Sequence, residues 1–364
     1  MRILQLVDGN RWTGVAAVVF DQTAALIAAG LEAQFAFTGG GALERRLHPL
    51  GWARPLLETK TRWPLGLARQ VRRVRETLLR EKFDVIHAHR SHDHYVAALA
   101  IRGTSVRLVR TLHHVRHARP DPLSALVFGR TDAFAHANRE IAERAKRPGP
   151  VLPPVIDVER FRPAERSREL LRRFGLPEDR LLAGTVAKIT RGRGHEEAIE
   201  AAAPLPSVAL VHVGQGDHIP FLQRKAAELG SGERNFWVGY HEELLPELYR
   251  LCDLFLFTAS GADQGQRAIL EAMASGVPVV ARDLPGVRDL VTDGREGAIA
   301  PDRAGLASAL RRLAESEETR RRCAEAGRAR AMHFTAAKFA ERAIPFYEGV
   351  LSSERVPWAL PSTP

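Results

Sequence analysis

The chain has 364 residues, which at roughly 100–200 residues per domain points to two domains. Hydrophobic residues make up 45% and charged residues 26%, an ordinary globular balance that excludes a disordered chain. The net charge is +10, and it is uneven: residues 44–147 hold 22 Lys/Arg against 10 Asp/Glu, +12, which leaves the remainder at −2. Two cysteines, Cys252 and Cys323, cannot build a disulfide framework or a cysteine zinc site and fit a reducing cytoplasm. No uninterrupted apolar run of about 18 residues occurs, so any membrane contact is expected to be peripheral.

The first elements alternate. Ile3–Val7 reads as a strand, about Gly14–Ala29 as an Ala-rich helix, and Ala33–Phe37 as a second strand ending at Gly39-Gly40-Gly41. Residues 64–80 form an amphipathic helix, with Leu67, Val71, Val74 and Leu78 on one face and Arg69, Arg72, Arg73 and Arg80 mostly off it. Phe83–Ala88 and Val106–Leu112 read as strands. Prolines at 148, 150, 153, 154 and 163 mark a linker. The alternation then restarts, with strands at Leu181–Ile189, Val208–Val213, Phe236–Val238, Leu254–Thr258 and Val277–Ala281. Helices fall at His195–Ala203, Pro220–Leu229, Glu243–Leu251 and Ala268–Ala274. The pattern predicts an α/β protein of two doubly wound domains facing across a cleft, with ligand loops at the carboxyl ends of the strands. The division expected is 1–160 and 161–335. Phe334–Leu351 reads as a helix kinked at Pro345, crossing back to the first domain.

Ala187-Lys188-Ile189-Thr190-Arg191-Gly192-Arg193-Gly194-His195 sets three cations beside two glycines at a helix start. Backbone N–H groups and the helix dipole favour an anion there, and a diphosphate suits the loop better than solvent alone. Val213-Gly214-Gln215-Gly216 says only that the backbone turns tightly, since the third glycine of a dinucleotide fingerprint is missing. In the loop from Ser260, Asp263 precedes a helix carrying Glu271 among Ala272, Met273 and Ala274. A carboxylate so placed needs a partner, either ribose hydroxyls or a cation on a neighbouring helix.

This last loop, with Ala272-Met273-Ala274-Ser275-Gly276-Val277-Pro278-Val279, resembles the signature of the family-4 (group 1) retaining glycosyltransferases of GT-B fold. Asp263 and Glu271 keep that family's Glu-x7-Glu spacing, with Asp as the first acid, and Asp263-Gln264-Gly265-Gln266 stands where Glu-Gly-Phe-Gly is usual. Lys188 and Arg193-Gly194 match its Arg…Lys-Gly pair with the cations exchanged, and Pro153–Pro163 is similar to its interdomain linker. The resemblance covers most of residues 150–300. It implies that Lys188 and Arg193 hold the diphosphate of a nucleotide sugar and Glu271 its ribose. Asp263, with the amides around Gly265 and Gln266, would touch the sugar, and Arg267 would add a contact. Gly14, Gly214 and Gly239 would bring backbone close to the donor. His113, in Thr111-Leu112-His113, matches the family's Thr-x-His histidine beside the donor sugar.

Half of the 14 histidines lie in residues 87–117. His87-Ala88-His89-Arg90-Ser91-His92-Asp93-His94 approaches a binuclear hydrolase motif, but His92 replaces a needed Asp and the arginines oppose a cation. The other reading is a strand end lining an acceptor pocket, with His89 on the acceptor. The implied function is a hexosyl- or related transferase, retaining, moving sugar from a nucleoside-diphosphate sugar to a hydroxyl of a saccharide or lipid-linked acceptor in cell-envelope polysaccharide or lipopolysaccharide synthesis. No metal or cofactor is expected. Arg69, Arg72, Arg73 and Arg80 point to an anionic membrane surface on its cytoplasmic side, or equally to a solvated helix face. A sugar-nucleotide epimerase of the same fold and a metal-dependent hydrolase on the histidine cluster remain alternatives. Nucleic acid is not an expected partner, because no aromatic stacking run accompanies the arginines.

Overall fold

The structure, a computed structural model, describes residues 1–58, 65–114, 127–259 and 266–352. It divides into two compact units: Met1–Val155 together with the segment from Ala336, and Ile156–Thr335.

In the first unit six parallel strands, β1 (Arg2–Val7), β2 (Glu32–Thr38), β3 (Ala53–Leu57), β4 (Val85–Ala88), β5 (Arg107–Leu112) and β6 (Ala133–His136), lie in the order β3-β2-β1-β4-β5-β6. Helices α1 (Gly14–Ala28), α2 (Ala42–Leu47), α3 (Leu65–Arg80) and α4 (Ser91–Ala100) connect strands, and α5 (Arg139–Ala145) follows β6. The strands are buried along nearly their whole length, as a parallel sheet covered on both faces requires. The order reverses between β1 and β4, so their carboxyl ends form the unit's ligand-binding edge.

The second unit repeats the plan. Strands β7 (Leu181–Val186), β8 (Val208–Val213), β9 (Asn235–Gly239), β10 (Leu254–Phe257), β11 (Val279–Arg282) and β12 (Gly297–Ala300) lie in the order β12-β11-β10-β7-β8-β9. Helices α6 (Arg168–Arg173), α7 (His195–Ala202), α8 (Ile219–Glu228), α9 (Leu245–Arg250), α10 (Arg267–Ala274), α11 (Leu306–Ala314) and α12 (Glu317–Ala331) cover it. Its switch point lies between β7 and β10.

The last helix, α13 (Ala336–Leu351), belongs to the first unit, where Phe339, Ala343, Phe346 and Tyr347 join Ile3, Leu26, Val85 and Val109 in one core. It runs through Pro345 unbroken rather than starting at Phe334. Pro345 and Glu341 are both exposed, so water can satisfy the carbonyl that the missing N–H leaves. The predicted strand Leu181–Ile189 stops at Val186, and its last three residues open the basic loop. Both cysteines are free and buried. Among the described residues no helix is long and apolar enough to cross a membrane.

Candidate active site

At the second unit's switch point the basic loop leaves β7 and enters α7. Gly192 and Gly194 have φ of +77° and +81°, the left-handed backbone that only glycine takes without strain. A Cβ at Gly194 would stand 2.2 Å from the Thr258 carbonyl oxygen, so glycine is needed there twice over. Lys188, Arg191 and Arg193 are exposed. The side chains of Lys188 and Arg193 form no ion pair or hydrogen bond among the described residues. Their charge is therefore uncommitted within the fold, beside the free N–H groups of a helix start.

Gly214 lies beneath this loop. A Cβ on it would meet the Ala187 carbonyl oxygen at 1.9 Å, and the Gly214 amide donates to the Gly239 carbonyl at 3.0 Å. Gly216 similarly abuts the Ile189 carbonyl. These glycines shape the floor of the anion loop. Behind it, His195 and His212 form a buried pair with Thr185, the histidine Nδ1 atoms 3.2 Å apart. Burial holds both imidazoles neutral, lowering His195 to about 4 and His212 to about 3.

Glu271, in α10, is 5% exposed. Its Oε1 accepts from Arg267 Nε at 2.8 Å, one turn away, and its Oε2 from the Tyr249 hydroxyl at 2.9 Å. A cation does meet the acid, but from Glu271's own helix rather than from the neighbouring helix expected. An ionised carboxylate offers about four lone-pair sites, so two remain for a diol. Arg267, a departure from the family's pattern, orients that acid, as does Tyr249, which the sequence reading did not single out. Gln266 donates from Nε2 to the Pro285 carbonyl. Asp263 and Gly265 lie outside the described residues.

In the first unit, Thr13 caps α1, its Oγ1 accepting from Ala16 N at 3.3 Å, and Gly14 is exposed at the helix start. The β1–α1 loop is held by Asp93, which is fully buried at the start of α4. Asp93 accepts the Asp8 amide at 2.9 Å and the Arg90 amide at 2.7 Å, and faces the buried Arg110 at 3.5 Å. Arg90 in turn donates to the Asp8 carbonyl and to Thr13 Oγ1. Burial pushes the Asp93 carboxyl up to about 7 even against the pull of Arg110 and the two amides. Removing one partner of a buried ion pair strands the other. Arg110→Met is therefore expected to destabilise the first unit by about 3–5 kcal/mol, read from the urea midpoint.

The histidine run divides between two elements. His92 Nε2 contacts Gln70 Oε1 at 3.2 Å and His94 Nε2 contacts Thr131 Oγ1 at 2.8 Å, both from α4. His87 and His89 sit at the end of β4 and point into the sheet's switch region. The four rings do not converge, and no group of three or more His, Cys, Asp or Glu among the described residues is arranged to hold a metal. The hydrolase geometry is absent from this cluster.

His89 does not turn a nitrogen toward an acceptor, contrary to the expectation. Its Nδ1 lies 3.0 Å from His113 Nε2 and its Nε2 lies 2.7 Å from Gln5 Oε1. His113 closes β5 beside the switch point, with His89 behind it. The polar Gln5 in Ile3-Leu4-Gln5-Leu6-Val7 was the sequence signal for this network, since a buried polar side chain needs partners. On α3, Arg69, Arg72, Arg73 and Arg80 are well exposed and loosely paired, with Glu58, Glu76, Glu58 and Glu81 respectively.

Two Rossmann-like sheets of identical strand order, one bearing a cationic glycine loop and a buried, partnered glutamate, define a protein of GT-B fold. Residues 167–330 match the family described as glycosyl transferases group 1, and residues 12–160 match Glycosyltransferase Family 4. The chain belongs to this glycosyltransferase family, and it is a glycosyltransferase. It is 30% identical over 298 residues to the alpha-D-kanosaminyltransferase of Streptomyces kanamyceticus, covering 72% of this chain and 76% of that one. It is 32% identical over 274 residues to the D-inositol 3-phosphate glycosyltransferase of Geodermatophilus obscurus, covering 65% and 60%. The crystal structure of Anabaena Alr3699/HepE in complex with UDP superposes with a TM-score of 0.82 at 20% identity, covering 96% and 100%.

Proposed function

We propose that the chain is a retaining transferase that moves a sugar from a nucleoside-diphosphate sugar to a hydroxyl of a saccharide or lipid-linked acceptor in cell-envelope polysaccharide assembly. The observation that carries this reading is the pair of uncommitted cations, Lys188 and Arg193, on a glycine turn at a helix start beside the switch point. Glu271, oriented by Tyr249 and Arg267, takes the ribose diol. Asp263 and the amides near Gly265 and Gln266 take the sugar, and His113 hydrogen-bonds a sugar hydroxyl. The acceptor oxygen attacks C1 from the face that the diphosphate leaves. The C1–O bond to phosphate breaks as the new glycosidic bond forms, and the acceptor proton passes to the departing diphosphate. The cations and the helix start stabilise the leaving charge, the role a divalent metal has in other sugar transferases, so turnover proceeds without added metal. The inositol phosphate relative and the UDP-bound neighbour support a nucleotide-sugar donor and a polyol or saccharide hydroxyl as acceptor.

A ligand held 100-fold above its Kd stabilises by about 2.7 kcal/mol, so a screen of nucleotide sugars by thermal shift identifies the donor. No shift with UDP, GDP or their sugars would defeat the reading. Product NMR then reads the anomeric configuration, and activity that collapses on adding chelator would remove the metal-free mechanism. The exposed arginines of α3 support docking on an anionic cytoplasmic leaflet. Co-sedimentation is expected with anionic vesicles and to weaken with salt, and equal binding to neutral vesicles would defeat it.

A further inference from the structure

Six buried polar side chains of the first unit, Gln5, His87, His89, Thr111, His113 and Tyr347, form one connected hydrogen-bond network. Tyr347, on α13, is the only member not at a strand or strand end. Gln5 Nε2 donates to its hydroxyl oxygen at 2.9 Å, and the hydroxyl lies 2.7 Å from His87 Nδ1. His87 Nε2 lies 2.7 Å from Thr111 Oγ1.

The order of protons follows from the orientation of the Gln5 amide, whose nitrogen only donates and whose oxygen only accepts. With the Gln5 amide nitrogen on Tyr347, its Oε1 faces His89 and only accepts. His89 therefore carries its proton on Nε2. Burial holds His89 neutral, well below the usual imidazole range, so its Nδ1 has only a lone pair to offer. The bond at 3.0 Å must then be donated by His113 Nε2. On the other arm the Tyr347 hydroxyl, already accepting from Gln5, donates to His87 Nδ1, and His87 Nε2–H donates to Thr111. Turning the Gln5 amide over would reverse every one of these bonds.

We propose that Gln5 and Tyr347 are positioning residues that, through His89, hold His113 as the Nε2–H tautomer, with its ring acceptor on Nδ1. This rests on the reading that His113 meets the reacting sugar. A ring that presents a lone pair to a sugar hydroxyl accepts that hydroxyl's proton in a hydrogen bond, and the other tautomer would oppose it. The C-terminal helix, 234 residues beyond His113 at Tyr347, thereby sets the chemistry of a histidine through two intervening side chains.

Long-range 1H–15N correlation on the 15N-histidine-labelled full chain reads each ring's tautomer directly. His113 and His89 are expected as Nε2–H in the wild type. Gln5→Met and Tyr347→Phe are expected to mix the His113 tautomers and to lower kcat about ten- to a hundredfold, the usual cost of losing the group that orients a histidine. The donor KM is expected to stay within about twofold, because uniform binding is untouched. Gln5→Glu is expected to restore Nε2–H, since a carboxyl oxygen still accepts from His89. His113 found as Nδ1–H in the wild type, or unmoved in both Gln5→Met and Tyr347→Phe, would overturn the proposal. A tautomer that shifts while kcat holds would take His113 out of the chemistry, and the positioning role with it, leaving the diphosphate assignment to Lys188 and Arg193 intact.

Discussion

Lys188→Ala and Arg193→Ala are each expected to lower kcat by about 10²–10³, or roughly 3–4 kcal/mol of transition-state stabilisation. The size follows from when the charge appears. As the C1–O bond breaks, the diphosphate gains negative charge that the ground state shares with the sugar, so a cation already in place acts more strongly on the transition state. Neither side chain has a partner among the described residues, and both are exposed, so their removal disturbs no packing. Stability is expected to stay within about 0.5 kcal/mol, the range for surface substitutions. That separation makes the test clean: a large fall in kcat with an unchanged urea midpoint supports the clamp. Activity kept within a few-fold in both variants would show that the diphosphate sits elsewhere. Glu271→Gln gives a contrasting case, because it leaves one acceptor oxygen where Arg267 and Tyr249 each use their own, and loss of activity there carries a folding component.

The contrast tracks what the sequence could reveal. The anion loop was legible because its parts are contiguous: a strand, two glycines, three cations and a helix start within nine residues. The alternation of apolar runs gave both sheets, but it passed over β3, whose Ala-Arg-Pro-Leu-Leu carries a proline tolerated on an edge strand, and over the four-residue strands β6 and β12. Residues 87–94 resemble one cluster in sequence but do not form one, for a physical reason. Consecutive histidines imply proximity only while the chain keeps one direction, and the strand gives way to a helix at Ser91. That turn sends His92 and His94 to Gln70 and Thr131 while His87 and His89 stay on the sheet. The partners that matter for His89 and His113 come from positions 5 and 347, a convergence that no local spacing encodes. Gln5 was the readable clue, one polar residue in a strand otherwise apolar between Ile3 and Val7.

Acidification is expected to lower the protein's stability steeply between about pH 6.5 and 5, above the range where most carboxylates protonate. Burial lowers His87 to about 3, His94 to about 2, His195 to about 4 and His212 to about 3, and holds His89 well down. In the unfolded chain each titrates near 6.5. Groups with a depressed folded pKa contribute stability that is present above the unfolded value and lost as pH falls toward the folded one, because only the unfolded chain takes up the proton. Asp93 works the other way. Its carboxyl, raised to about 7, holds a proton when folded that the unfolded chain has released, so its contribution is lost as pH rises through 7 and regained on acidification. Burial lowers His136 too, so in the first unit the balance is four histidines less one carboxyl, and in the second it is two histidines. Each unit thus takes up at least about two net protons on unfolding between about pH 6 and 4.5, a slope of roughly 3 kcal/mol per pH unit or more. From pH 6.5 to 5 that amounts to about 4 kcal/mol per unit, against a total stability on the order of 5–15 kcal/mol. Calorimetric Tm followed from pH 7.5 to 4.5 is the measurement, and a flat profile would refute the expectation. His94→Gln isolates one proton. Thr131 Oγ1 donates to the Val127 carbonyl and so accepts from His94 Nε2–H, and a glutamine amide can make the same bond without titrating. The variant is expected to fold normally at pH 7.5 and to lower the first unit's acid slope by about 1.4 kcal/mol per pH unit.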